Sequence, residues 1–246
     1  MEARFFVNGF PIFQSSTGPW KTYPTINYWM KNGSNEIGFQ IDRVASKEEV
    51  LAAEIKGVDS PYLSFQVGVG AVGTFPADSA EPRIASSSWE PGSALQNFIS
   101  PDIDTGWERW AWEDSPIIEN PQEEANEIWE YVAKIERALK EKNVDSLMGY
   151  CDLRIREIAA SMGSDPNEIR SQIRQLFLLF FSAPDWNVHP VSIETHELEL
   201  LSNDRVIQVK GKDCPQAFRS SENVDDGNWG MLLFLSKIHG EWSWVR

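Results

Sequence analysis

Three histidines, at positions 189, 196 and 239, are the only side chains of this 246-residue chain whose ordinary pKa places a proton exchange between pH 5 and 8. His189 has the richest company. Asp185 lies four residues before it, and Tyr150 and Asp152 sit on a helix expected to pack near it. A histidine, two carboxylates and a phenol make a set that can move protons, provided the helices and the sheet enclose a pocket. His189 and His196 are separated by an odd number of residues, so on one continuous strand they face opposite ways. No two-histidine metal pair is expected, and the metal expectation for the chain is none.

Eleven tryptophans supply the second kind of chemistry, since indole faces are platforms for sugars and anchors in protein interfaces. Each is more often a packing residue than a ligand platform. Trp89 stands apart because it falls in a Pro- and Ser-rich stretch, where a core role is least natural, so it is the expected binding residue. Asp102-Ile103-Asp104-Thr105-Gly106 and Asp225-Asp226-Gly227-Asn228 have calcium-loop composition without the register or the bidentate glutamate, and they read as Asx turns. Cys151 and Cys214 have no Cys or His at zinc-ligand spacing and are expected as two buried thiols, pairing only in an oxidising compartment. There is no phosphate-cradling Gly loop, dinucleotide fingerprint, nucleophile elbow or HExxH. No cofactor is expected.

The elements that position these residues follow from pattern and size. The length suggests two domains, 1–118 and 119–246. In the first, Arg4 to Val7 and Phe10 to Phe13 flank Asn8-Gly9, a strong hairpin signal. Ile37, Phe39 and Ile41 alternate as in a strand, as do Leu63, Phe65, Val67, Val69 and Ala71, with a strand also expected over 50–58 and a last one over 107–112. Four prolines between 74 and 105 predict a long surface loop. In the second, Asn120, Pro121 and Glu123 signal a helix start, and Ile128, Val132, Ile135 and Leu139 form its apolar stripe. A second helix runs from Asp145 to Gly163, and a third starts at Asp165-Pro166 and ends before Pro184. Strands over 188–195, 197–201, 205–210, 229–238 and 241–245 complete an α+β domain with three helices on an antiparallel sheet.

The segment EIWEYVAKIERALKEKNVDSLMGYCD, with the ending KIHGEWSWV, resembles the nuclear-transport-factor-two-like superfamily, the cystatin-like α+β fold that includes ketosteroid isomerase. The resemblance spans residues 120 to 246 and implies a helix-and-sheet cone. The acid and buried proton donor of that family's isomerases have no residue-by-residue match here, so no catalytic residue carries over. FFVNGFPI followed by KNGSNEIGFQID is similar to the hairpin and the Gly-x-Asn-x-Ile strand (Gly33, Asn35, Ile37) of jelly-roll β-sandwiches. That likeness implies a fold and no ligand.

Composition narrows the function. With 37 acidic against 22 basic residues the formal charge is -15, spread over both halves, and such a field repels a phosphate backbone. Nucleic acid is excluded as a ligand. The N-terminus lacks a signal-peptide pattern, and no run of about 18 apolar residues occurs, so no membrane association is expected and the expected compartment is the cytoplasm, or the periplasm if a leader has been removed. The expected function is a non-catalytic binding protein, for example a bacterial immunity or accessory protein, that presents an acidic, Trp-bearing surface to a protein or polar ligand. The alternative is a small-molecule-binding protein or enzyme with an apolar pocket in the C-terminal cone. The oligomeric state is left open.

Overall fold

The computed structural model describes residues 2–15, 25–44, 46, 48, 63–68, 83–184, 186–220 and 229–246. The chain divides into two compact units, Met1–Gly106 and Trp107–Arg246, with the division ahead of the junction expected at 118/119. Strands make up the N-terminal part, and helices followed by strands the C-terminal part, in a mixed α+β chain.

In the first unit β1 (Glu2–Val7) and β2 (Phe10–Ser15) form the expected hairpin. Asn8 and Gly9 adopt φ of 52° and 79°, the left-handed values that a two-residue hairpin turn demands. Further strands are β3 (Gly33–Ser34), β4 (Ile37–Arg43), β5 (Leu63–Gly68), β6 (Arg83–Trp89), β7 (Gln96–Ile99) and β8 (Asp102–Ile103). One sheet has the order β2-β1-β4-β7, while β5 pairs with β6 and β3 with β8. Phe5 of β1 and Phe39 of β4 set their rings edge-on to Phe65 of β5, at 4.7 Å and 6.2 Å. Ala3, Phe39, Ile41, Leu63 and Trp89 form the buried cluster between those strands.

Two expectations change here. The stretch from 74 to 105 is no uninterrupted loop, because β6, β7 and β8 lie within it; along β6 the exposed Ser86 and Ser88 alternate with the side that buries Ala85 and Trp89. Trp89 is correspondingly not a surface platform. It is 2% exposed, in the core, with its Nε1 donating to the Ser93 carbonyl at 3.4 Å. The strand expected over 50–58, and residues 69–71 of the next, fall outside the described residues; the β5–β6 register shifts between Val67 and Gly68.

The Gly-x-Asn-x-Ile pattern has a direct physical cause. Asn8 Nδ2 donates to the Trp29 carbonyl and to Asn35 Oδ1, both at 2.8 Å. Asn8 Oδ1 accepts from the Glu36 amide at 2.9 Å. Asn35 Oδ1 also accepts from the Lys31 amide at 2.8 Å, and its Nδ2 donates to the Lys31 and Gly33 carbonyls at 2.9 and 2.8 Å. Two buried amides thereby satisfy the backbone of the 29–36 turn and tie it to the first hairpin, as buried polar groups require.

In the second unit Trp107 to Trp112 is not a strand. A 3-10 turn over Ala111–Asp114 lies there, held by the amide of Ala111 donating to Glu157 Oε1 at 2.9 Å. Asn120 caps a turn over 120–123, its Oδ1 accepting from the Gln122 amide at 3.0 Å, and α1 (Ala125–Lys140) begins after it. The stripe Ile128, Val132, Ile135 and Leu139 is buried as expected. The second expected helix is broken at Cys151 into α2 (Val144–Tyr150) and α3 (Asp152–Met162); α3 ends on Gly163 at φ 62°, a left-handed cap that glycine adopts without strain. Asp165 accepts from the Asn167 amide at 2.9 Å and starts α4 (Pro166–Phe181).

Residues 188–195 are irregular rather than a strand. The sheet consists of β9 (His196–Leu201), β10 (Val206–Gly211), β13 (Leu233–Ile238) and β14 (Glu241–Trp244), in the antiparallel order β14-β13-β10-β9. Between them β11 (Phe218–Arg219) and β12 (Gly230–Met231) form a small pair. Ile207, Val209, Leu233, Leu235, Trp242 and Trp244 turn toward the helices and join their core. On the opposite face Ser236 Oγ lies 2.8 Å from both Ser115 Oγ and the Arg205 carbonyl, with one hydroxyl proton to share between them. Segment 107–118 thus belongs to this sheet, which is why the division falls before it.

Candidate functional site

α4 carries one basic pair and a strongly apolar end. Arg170 is ion-paired with Asp152, and Arg174 with Asp145 at 2.5 Å, so both of the helix's cations are neutralised. Its inner face buries Ile169, Phe177 and Phe181. Leu176, Leu178 and Leu179 of the last turns stand 47%, 50% and 67% exposed. A helix that is apolar all round is normally enclosed on all sides. This one is not.

Aromatic rings close the end of that helix. Trp186 and Trp229 stack at 4.5 Å and 12°, Phe180 lies over Trp229 at 6.4 Å, and Phe181 meets Trp186 edge-on at 4.7 Å. Trp186 Nε1 donates to the Leu139 carbonyl at 3.2 Å, anchoring the stack to the end of α1. The stack stiffens the surface from which the leucines project.

The expected acid–base set is dispersed. Tyr150 ends α2 with its ring edge-on to Tyr131 at 5.7 Å. Asp152 is held by Arg170 and by Arg156, the latter at 3.1 Å, so its carboxylate serves as an ion-pair partner. His189 lies in the irregular 188–195 segment, its amide donating to the Arg219 carbonyl at 3.0 Å. No hydrogen bond or ion pair among the described residues joins it to Tyr150 or Asp152. Asp185 lies outside the described residues.

The group that sequence spacing did not single out is His196. It is buried at the start of β9, its Nε2 3.0 Å from the Ala217 carbonyl and its Nδ1 2.8 Å from Thr195 Oγ1. Since a carbonyl only accepts, Nε2 carries the proton and Nδ1 takes the threonine hydroxyl's: a neutral imidazole with both nitrogens paired. Burial lowers its pKa below the ordinary value, against the upward pull of the Ala217 and Ser192 backbone. Nearby, Cys214 Sγ is 3.3 Å from Arg219 Nη1, and Arg219 pairs with Asp213 at 3.2 Å. Burial nevertheless pushes the Cys214 thiol up, so it is not a poised thiolate. Cys151 is likewise buried and free, its thiol pushed up to about 11.

Because the folded state holds His196 with a depressed pKa, its contribution to stability is present above the unfolded value of about 6.5 and is lost as pH falls below it. Urea unfolding between about pH 8 and pH 5 should show the midpoint dropping on the acid side. His196→Gln should flatten that part of the profile. Superimposable profiles would contradict the assignment.

None of the tryptophans among the described residues is fully exposed: Trp29, Trp89, Trp110, Trp112, Trp242 and Trp244 are buried, and Trp107, Trp129, Trp186 and Trp229 are half-buried. Trp20 lies outside the described residues. Among the described residues no group of three or more His, Cys, Asp or Glu stands close enough to hold a metal, and no helix is long and apolar enough to cross a membrane. In comparison with known proteins, no family model matches this chain, and neither a curated protein nor a solved structure matches it.

Proposed function

We propose that this chain is a non-catalytic binding protein whose partner is a protein with a basic, partly apolar surface that docks on the outer side of the last turns of α4. The observation that carries the reading is the exposure of Leu176, Leu178 and Leu179 within one turn of α4. Large apolar side chains exposed together on one helix turn support an interaction site. The charge of -15, together with the neutralisation of Arg170 and Arg174, favours a cationic partner, which the surrounding field attracts and orients. The proposal keeps the nuclear-transport-factor-two-like reading of the C-terminal part, which helices followed by an antiparallel sheet support. It also keeps the jelly-roll-like β-sandwich reading of the N-terminal part, which the packing of β5 on the four-stranded sheet supports.

A fluorescent synthetic peptide of leucine and lysine with helical spacing serves as the probe. Anisotropy should report saturable binding that weakens as salt rises, and a lysine-only peptide of equal charge should bind at least about tenfold more weakly, since it offers no apolar anchor. Equal binding of the two peptides would remove the leucine surface from the account.

A further inference from the structure

The outer side of β7, the edge strand of the four-stranded sheet in the first unit, is left open. Its ladder with β4 sets Ile37 opposite Ile99, Phe39 opposite Asn97 and Gln40 opposite Gln96. At either end of it the Ile41 amide donates to the Leu95 carbonyl and the Asn35 amide to the Pro101 carbonyl. Because antiparallel strands exchange hydrogen bonds at every second pair, Leu95, Asn97 and Ile99 turn their backbone groups toward β4. Ala94, Gln96, Phe98 and Ser100 turn theirs away. Among the described residues none of those outward N–H or C=O groups has a hydrogen-bond partner. Residues 94–98 are all exposed, Leu95 by 53% and Phe98 by 37%. A strand open along its edge and exposed on both faces is a template for pairing with another strand.

The edge is preformed. Phe98 lies against Phe6 at 6.0 Å, and Asn97 Nδ2 donates to Ser87 Oγ of β6 at 2.7 Å. A Cβ at Gly38 would collide with the Asn97 carbonyl and the Phe98 ring, so β7 sits on β4 more closely than a side chain there would allow. Edge strands are commonly blunted by charge, and the edges of the second unit's sheet, β9 and β14, carry Glu197, Glu199 and Glu241. β7 lies instead in an uncharged run from Pro91 to Pro101, in a chain of formal charge -15.

That run is complementary to itself. Antiparallel pairing about a twofold axis at Asn97 sets Gln96 opposite Phe98 and Ala94 opposite Ser100 of the other copy, all of them outward residues, so each pair can exchange hydrogen bonds. The same register sets the exposed Leu95 opposite Ile99, apolar on apolar, and within the paired run it brings no two charges together. We propose that β7 is a self-association edge, at which two copies of this chain pair antiparallel about Asn97 and join their four-stranded sheets side by side, the same patch serving both copies. A pairing this short belongs with interfaces below about 1,200 Å² and gives a weak dimer that forms as concentration rises. The contact goes beyond the leucine surface of α4 and does not involve it.

Sedimentation equilibrium of the full chain from about 5 to about 500 μM, a range suited to small transient interfaces, should show the mass rising from that of one chain toward that of two. Association should strengthen as salt rises, because screening weakens the repulsion between two acidic copies; the peptide binding expected at α4 has the opposite salt dependence. Gln96→Pro removes an outward N–H that β4 does not use, a change that edge strands tolerate, and should weaken association at least about tenfold. Asn97→Lys and Asn97→Asp each set like charges face to face on the axis and should each weaken association about fivefold, whereas an equimolar mixture of the two should restore it as a heterodimer. Leu176→Gln, Leu178→Gln and Leu179→Gln together should leave association unchanged. Should Gln96→Pro not fold, the pair of variants at the exposed Asn97 still decides. A monomer at every concentration, which would leave the edge to a strand of another protein, overturns the proposal. So does wild-type association by a folded Gln96→Pro, loss of association in the leucine variant, or a mixture of the Asn97 variants that associates no better than its components.

Discussion

Glu157→Ala should destabilise the protein by about 3–5 kcal/mol, the usual cost of leaving one partner of a buried ion pair alone. Glu157 of α3 and Arg246 are both buried and ion-paired, and the guanidinium lies between Trp110 and Trp112, 4.9 and 5.9 Å from their ring centres. Burial raises the Glu157 carboxyl above the ordinary glutamate value, opposed by Arg246 and the Ala111 amide. The alanine variant removes the charge that compensates Arg246 and also the acceptor that holds the 3-10 turn at Ala111. Glu157→Gln keeps an acceptor without the charge, so it should lose less. Replacing both partners by apolar residues, Glu157→Leu with Arg246→Met, should recover much of the loss, because the pair bears its own desolvation cost. Urea midpoints measure all three, and a Glu157→Ala loss below about 1 kcal/mol would show that water reaches the pair.

Asn35→Ala in the first unit should cost at least about 3 kcal/mol. The change deletes four hydrogen bonds of a fully buried side chain and strands the Lys31 amide and the Lys31 and Gly33 carbonyls. Each buried group left unsatisfied costs about 1–3 kcal/mol. Asn35→Asp should be comparably damaging, since a carboxylate cannot donate to the two carbonyls. A loss within about 0.5 kcal/mol, the range of an ordinary surface substitution, would mean that water replaces the amide without penalty.

The parts of the fold that were legible in the sequence are those written in local chemistry. Asn8-Gly9 specifies its own turn, Asp165-Pro166 its own helix start, Gly163 its own cap, and the α1 stripe its own buried face. What was not legible depends on residues distant in sequence. The break at Cys151 cannot be read from a stripe that continues through it. The 107–112 segment alternates tryptophans as a strand would, and only Glu157 and Arg246 fold it into a 3-10 turn. Trp89 sits among serines and prolines that look like loop text, yet Ser86 and Ser88 are the solvent side of β6.

The candidate site was less legible still. Tyr150 was singled out for proton chemistry, and the structure places its ring instead edge-on to Tyr131. Of the α4 leucines, Leu176 reads as part of the core stripe with Ile169, Ile173, Phe177 and Phe180, and the structure leaves it exposed; with Phe177 and Phe181 inward, Leu179 falls on the opposite side of the helix.

The docking surface on α4 is tested most directly by replacing Leu176, Leu178 and Leu179 together with glutamine and measuring affinity for the leucine–lysine peptide alongside thermal stability. The account predicts an unchanged melting temperature, as expected for exposed positions, with affinity reduced at least about tenfold. Wild-type affinity in a folded triple variant would contradict it.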